Sequence, residues 1–329
     1  MNELILTEQE LRHCAGIDKT SLQAVENAFT WLSEGKAYMP PIMHIEVADR
    51  HGDVDIKSAY VTGLDRFAVK IGSGFFDNPS KGLPSSSAMM VLLSAATGLC
   101  EAVLLDNGYL TDLRTGLAGA VAAHHLGRDN ISTVGVVGAG AQARYQVECL
   151  TLVREFDRLL VLGRDPERQA AYSDEMRRKL GITVTAAESM EQLVGESDLV
   201  ITTTPSRTPL IRADWLHPGL HITAMGSDLA GKQELDAGVL AAADLLVCDR
   251  KSQCFSMGEL QHGLAAGILT EKSVVLELGE LTSAKTTGRS DEQQVTVCDL
   301  TGTGVQDTAI AAVAYDAAVS YGIGTVISN

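Results

Sequence analysis

Three groups of residues in this chain have types and spacings suited to chemistry. The first is Gly138-Ala139-Gly140-Ala141-Gln142-Ala143, entered from the β-branched run Thr133–Val137 and followed by a helical stretch to Val153. Gly138 permits a tight turn, Gly140 lets backbone amides approach a pyrophosphate, and Ala143 lets the helix pack on its strand. The helix N-terminus favours the anion. A Gly-x-Gly-x-x-Ala run alone is a weak signal, but here a strand precedes it, a helix follows, and a second strand ends on schedule at Leu162. The second group is a pair of cations in apolar surroundings. Lys70 lies in the run Phe67–Ile71, and Arg114 sits between Leu113 and Gly116-Leu117. An idle ammonium is expensive in such a strand, whereas a buried substrate carboxylate needs hydrogen-bonded cations of this kind. An ion pair with a local carboxylate such as Asp112 is the plainer alternative. The third is Asp228, just past the candidate strand His221–Met225, where open α/β sheets place ligands. A carboxylate there can work as acid or base if partial burial moves its pKa toward the working pH; a cap or turn residue before Gly231 is the alternative.

The end of the second strand bears on which dinucleotide is bound. An NAD site usually offers an acid about 20 residues past the glycines, to grip the ribose 2′-hydroxyl. This chain reads Leu162-Gly163-Arg164-Asp165-Pro166, with Gly163 where the acid belongs and Arg164 suited to a 2′-phosphate. The expectation is NAD(P)H, with NADP favoured over NAD, and with Asp165 still within reach of a ribose.

Elements of two kinds must position these groups. Thr7-Glu8-Gln9-Glu10 and Thr20-Ser21-Leu22-Gln23 have capping-box form, and Leu22, Val25, Phe29 and Leu32 recur at helical spacing until Gly35 and Pro40-Pro41. Short runs rich in Val, Ile and Tyr then follow, at Ile56–Val61, Phe67–Ile71, Met89–Leu93 and Leu99–Leu105, punctuated by turn signals. They read as an antiparallel or mixed sheet. After a small-residue helix over Leu110–Leu126 the texture becomes βα repeats. Its candidate strands are Thr133–Val137, Leu159–Leu162, Ile182–Thr185, Leu199–Thr202, His221–Met225, Leu245–Cys248 and Gln294–Cys298. A last helix over Gln306–Tyr321 returns to the first domain. The fold class is α/β, with an α+β substrate-binding and dimerisation domain over residues 1–122 and 306–329. A Rossmann-type dinucleotide-binding domain covers residues 123–305.

The 329 residues carry 26 Lys and Arg against 42 Asp and Glu, a net charge of −16 that disfavours nucleic-acid partners. No apolar run approaches the ~20 residues of a membrane helix, and the acidic start has no leader-like basic region. The six cysteines have neither CxxC nor zinc spacing, so no metal and no disulfide frame is expected. These features read as a cytoplasmic protein.

Four segments and a closing loop resemble the ornithine cyclodeaminase/μ-crystallin family, in order and over nearly the whole chain. They are Phe67-Ala68-Val69-Lys70, Leu110-Thr111-Asp112-Leu113-Arg114-Thr115, the glycine loop, Met225-Gly226-Ser227-Asp228-Leu229-Ala230-Gly231-Lys232-Gln233-Glu234-Leu235, and Asp299–Asp307. Met39-Pro40-Pro41-Ile42 and Leu104–Thr111 are similar to the cyclodeaminase-like proteins of ectoine-utilisation clusters, and Gly258-Glu259-Leu260-Gln261-His262 is similar to iminosuccinate reductases. The resemblance implies a homodimer and several residue roles. Lys70 and Arg114 would clamp a substrate α-carboxylate, and Asp228 would be the acid/base group at the reacting nitrogen. Ala141 and Gln142 would lie over the pyrophosphate, with Thr204 near the adenosine side. Ala224, Met225, Gly226 and Ser227 would run along the nicotinamide, and Thr115 and Gly302 would also touch the cofactor. Two departures stand out. The family's further arginine after the first-strand proline is absent, leaving His44 or Lys57 as substitutes, and Ala230 replaces a usual proline.

One scaffold serves several reactions. The resemblance implies first an NAD(P)H-dependent reductase of a small imino acid, such as iminosuccinate or a related product of ectoine or hydroxyectoine breakdown. The alternatives are an NAD-dependent cyclodeaminase that releases ammonia, and a non-catalytic NADP-binding protein.

Overall fold

The computed structural model describes residues 2–328. The chain forms two compact units, Met1–Arg114 with Thr303–Asn329, and Thr115–Gly302. The first is built on a mixed eight-stranded sheet. Asn2–Thr7 pairs in parallel with Cys100–Leu105 and antiparallel with Thr325–Ser328. From Cys100–Leu105 the sheet continues antiparallel through Ser86–Ser94, Arg66–Phe75 and Gly52–Val61. Short strands Ala37–Tyr38 and Met43–Val47 both pair with Gly52–Val61 at that edge. The four sheet runs expected from sequence are all present; three extend further than expected, and the fourth starts one residue later, at Cys100.

Asn2–Thr7 carries a strand signal of its own, the alternation of buried Leu4 and Leu6 with half-buried Glu3 and Ile5. The first capping box forms as expected, with the Thr7 amide donating to Glu10 at 2.8 Å. The second does not. Helix Lys19–Ser33 starts one residue before Thr20 and is capped by Asp18, whose carboxylate accepts the Ser21 amide at 2.8 Å. An ionised oxygen is the stronger cap, and it moves the helix start upstream.

Helix Gly304–Tyr321 packs on this sheet and on Lys19–Ser33. Thr308 on its first turns donates to the Ala59 carbonyl and accepts the Ala68 amide, at 2.8 and 3.1 Å. That pins the helix start over the rows next to Lys57 and Lys70.

The second unit has an all-parallel eight-stranded sheet. Its order is Thr183–Ala186, Arg158–Leu162, Thr133–Val137, Leu199–Thr202, His221–Ala224, Thr296–Asp299, Leu245–Cys248 and Leu276–Glu277. Strand order reverses on either side of Thr133–Val137, the switch point at which doubly wound sheets bind ligands. The four central strands Thr133–Val137, Leu199–Thr202, His221–Ala224 and Thr296–Asp299 are buried on both faces, as parallel sheets require. The seven strands expected from sequence lie within two residues of their observed positions. The parallel pair Arg207–Ile211 and Gln233–Leu235 falls outside that reading. No helix among the described residues is long and apolar enough to cross a membrane.

Candidate functional site

In the first unit the two expected cations share one carboxylate. Lys70 Nζ lies 3.0 Å from Asp307 Oδ2 and 3.1 Å from Oδ1, and Arg114 Nε lies 3.0 Å from Oδ1. All three side chains are buried, Asp307 completely. Asp307 stands in the first turn of helix Gly304–Tyr321, where the helix dipole favours a negative charge. Arg114 Nη1 also reaches Gln306 Oε1 at 3.4 Å, and that oxygen accepts the Thr303 amide at 2.7 Å in the capping box of the same helix. The partner is therefore not the local Asp112 but a residue 193 positions along the chain from Arg114.

Charge in this cluster is unbalanced. Burial pulls Lys70 down to about 8, with Asp307 opposing the change and Arg114 and Lys57 adding to it. Burial alone would raise Asp307, but Lys70 and Arg114 outweigh it and hold the carboxyl below its ordinary value. Lys57 is directly opposite Lys70 in the antiparallel register, half-buried and without an ion pair among the described residues. Asp106 adds a negative charge near Lys70. Burial lifts its carboxyl to about 6, against amide bonds from Leu110 and Gly108 at the start of helix Tyr109–Leu126. Three basic side chains, Lys57, Lys70 and Arg114, thus gather around two carboxyl groups, Asp106 and Asp307. His44, the other expected substitute, is exposed and bonded at 2.8 Å to Asp55, which raises its pKa.

In the second unit the glycine loop has the geometry a pyrophosphate needs. Gly138 has φ +113°, and a Cβ there would meet Thr203 Oγ1 at 2.6 Å, so only glycine fits. Gly140 is the N-cap of helix Ala141–Leu150 and offers its amides no side-chain cap. A Cβ on Gly140 would meet nothing within 4 Å, so the open space over those amides is of the kind a phosphate fills. Arg144 braces the turn from below, donating to the carbonyls of Ala139 and Gly140 at 2.9 Å. Ala141 is exposed; Gln142 is half-buried and accepts from Gln146 at 3.5 Å. Gln146 also donates to the Thr115 carbonyl at 2.8 Å, which ties Thr115 to the glycine-loop helix.

At the adenosine end, Arg164 is exposed with no described partner. Asp165 is committed elsewhere: it caps helix Pro166–Leu180, accepting the amides of Glu167 and Arg168 at 3.0 and 3.2 Å.

A carboxylate passed over in the sequence reading shapes the neighbouring loops. Buried Glu234 accepts the Thr202 hydroxyl at 2.6 Å, the Thr204 amide and hydroxyl at 2.5 and 2.7 Å, and the Gly226 amide at 2.8 Å. Burial raises its pKa despite those bonds. It joins Thr204 to the segment Ala224–Ser227 at the carboxyl ends of two adjacent strands. Gly226 is obligatory here, because a Cβ would collide with the Thr204 carbonyl and the Glu234 carboxyl. Ala224, Met225 and Ser227 are buried beside it. Glu259 in turn accepts the amides of Glu234 and Leu235 at 2.7 and 3.1 Å. Gly302, the last expected cofactor residue, donates its amide to buried Asp249 at 2.7 Å. Asp228 is exposed, with Oδ1 2.6 Å from Lys232 Nζ.

The chain resembles solved proteins over its full length. An archaeal alanine dehydrogenase dimer with bound NAD is 34% identical, with TM-score 0.92 over 100% of this chain and 99% of that one. The Thermococcus litoralis Δ1-pyrroline-2-carboxylate reductase, in complex with NADH and L-proline, is 30% identical, with TM-score 0.93 over 98% and 100%. The iminosuccinate reductase of Paracoccus denitrificans, in complex with NAD+, is 28% identical, with TM-score 0.92 over 100% of both. The profile described as the ornithine cyclodeaminase/mu-crystallin family matches residues 1–322, and the chain belongs to that family.

Proposed function

We propose that this protein is an NAD(P)H-dependent reductase of a small α-imino acid, working in the reverse direction as an amino-acid dehydrogenase. The observation that carries the reading is the buried cluster of Lys70, Arg114 and Asp307, with unpaired Lys57 across the strand. It holds an excess of positive charge, and a substrate carboxylate supplies the missing anion through charge-assisted hydrogen bonds. The three solved relatives are all nicotinamide enzymes of amino or imino acids by name, which supports the same reading.

The dinucleotide would rest on the amides of Ala141 and Gln142 above Gly140, and its reduced nicotinamide supplies a hydride to the substrate α-carbon. Lys70 and Arg114 hold the carboxylate, and Asp228 exchanges the proton that the nitrogen requires. Free Arg164 and the commitment of Asp165 to a helix cap favour NADP over NAD, although the solved relatives carry NAD. We take the assembly to be a homodimer formed through the first unit, whose edge strand leaves Met43 and Ile45 exposed. A monomeric mass at micromolar concentration would count against it.

The test is a panel assay. NADPH or NADH is mixed with iminosuccinate, Δ1-pyrroline-2-carboxylate, or pyruvate plus ammonium, and nicotinamide absorbance is followed. Consumption with one of them, iminosuccinate being the first to try, is the expected result. Ammonia release from ornithine without net absorbance change would instead mark a cyclodeaminase. Dinucleotide binding with neither would mark a binding protein.

A further inference from the structure

Asp228 sits on a loop that the structure closes on itself and clamps from a second element. Ser227 Oγ donates to the Lys232 carbonyl at 2.8 Å, joining the two ends of the loop. The same carbonyl accepts from His262 Nε2 at 2.6 Å, and Gln261 Oε1 accepts the Gly231 amide at 3.1 Å. Both clamping residues lie on helix Leu260–Ala265, which follows buried Glu259. Inside this frame Lys232 folds back on Asp228. Its Nζ is 2.6 Å from Asp228 Oδ1, while Oδ2 has no partner among the described residues. The lysine is the more enclosed member of the pair, half-buried with its side chain 17% exposed against 51% for the aspartate. An exposed ion pair between two mobile side chains contributes little. Here one partner is largely enclosed and its backbone carbonyl is held twice, so the ammonium is a fixed point and the carboxylate is what it orients.

We propose that Lys232 is the positioning residue for Asp228: it occupies Oδ1, fixes the carboxylate rotamer, and leaves Oδ2 free for the substrate nitrogen. The assignment rests on the role proposed above for Asp228. Lys232 does not touch substrate in this account; it removes rotamer freedom that Asp228 would otherwise lose at the moment of proton exchange. His262 and Gln261 serve the same end one step back, through the backbone of the loop.

The experiment compares wild type with Lys232→Met, Lys232→Arg, Asp228→Asn and the Lys232→Met/Asp228→Asn double variant. It uses iminosuccinate generated from oxaloacetate and ammonium, the other panel substrates, and NADH or NADPH. Dinucleotide affinity is read by fluorescence and folding by Tm. Lys232→Met is expected to lose about 10–100-fold in kcat, the range for removing a group that orients a functional side chain. KM for the imino acid and dinucleotide affinity should stay within about threefold, and Lys232→Arg should recover most of the loss. The double variant should be no slower than Asp228→Asn alone, because the two residues act as one unit. A wild-type kcat in Lys232→Met, no rescue by arginine, or a multiplicative loss in the double variant would each overturn the proposal while leaving the reductase reading intact. Failure of wild type to consume NAD(P)H with any panel substrate overturns that reading, and the role of Lys232 with it.

Discussion

Lys57 and Lys70 are direct cross-strand partners, two ammonium groups facing one another on neighbouring strands of the first sheet. Like charges so placed cost stability, and of the two only Lys70 makes an ion pair among the described residues. Retaining the pair makes sense when an anion arrives to share. Lys57→Met is therefore expected to stabilise the ligand-free protein by about 0.2–1 kcal/mol, read as a higher urea midpoint. The same change should raise KM for the imino acid. A destabilised variant with unchanged KM would make Lys57 a structural residue.

Asp307 has the opposite character. Replacing it with Ala leaves Lys70 and Arg114 buried without their counter-charge, a loss expected to cost about 3–5 kcal/mol. Thermal and urea unfolding check the magnitude. A loss below about 1 kcal/mol would mean that water already screens the cluster.

Gly140→Val is expected to abolish dinucleotide binding while Tm changes little, since the added side chain enters space the protein itself leaves empty. NADH and NADPH fluorescence titrations read the binding. Arg164→Ala should weaken NADP more than NAD; equal losses would remove Arg164 from the discriminating role.

Asp228→Asn keeps size and hydrogen bonding but removes proton exchange. We expect at least a ~100-fold fall in kcat, within the 10²–10⁴ typical of general acid–base groups, with dinucleotide affinity within a few-fold. Lys70→Ala and Arg114→Ala should instead act mainly on KM. Near-normal turnover in Asp228→Asn would reduce that residue to a turn former.

Stability should depend on pH through Glu259 and Asp299. Burial, then the neighbouring Asp299, pushes Glu259 from 4.5 to about 9, and burial pushes Asp299 from 3.8 to about 7. Both therefore hold protons in the folded state that the unfolded chain has released. Their contribution is fully present below the unfolded values and is lost as pH rises through the folded ones. Wild-type Tm should fall between pH 5 and pH 8, a window that ends where Lys70, lowered to about 8, begins to act in the opposite sense. Glu259→Gln should flatten that fall. An equally steep decline in the variant would assign the pH dependence to other groups.

Most of the parallel half of the fold was legible because its longer strands are largely apolar runs bounded by turns, and because the glycine loop marks its own strand and helix; the two-residue strand Leu276–Glu277 carries no such signal. The candidate cations were legible too, since Lys70 and Arg114 stand out against apolar neighbours. Their partner was not. Asp307 is 237 residues from Lys70, and only the return of helix Gly304–Tyr321 to the first sheet brings them together. Glu234 and Glu259 were hidden for a different reason. In a loop sequence a carboxylate reads as solvated, and nothing local signals that backbone amides will enclose it. For Asp228 the sequence signalled a place at a strand's carboxyl end but not its neighbour, a lysine four positions away that pairs with it while the aspartate's own side chain stays 51% exposed.

The first unit is assembled from both ends of the chain, and this has a consequence for biosynthesis. When Arg114 leaves the ribosome, the sheet beside it lacks its covering helix and both cations lack Asp307. The intervening residues up to helix Gly304–Tyr321 take roughly 10–40 s to translate at ordinary rates of synthesis. Through that interval the nascent sheet is an open apolar surface with unpaired charge, a natural client for a chaperone, while the continuous second unit is free to fold as it emerges. Emergence of helix Gly304–Tyr321, rather than any local folding event, is then the step that completes the carboxylate clamp.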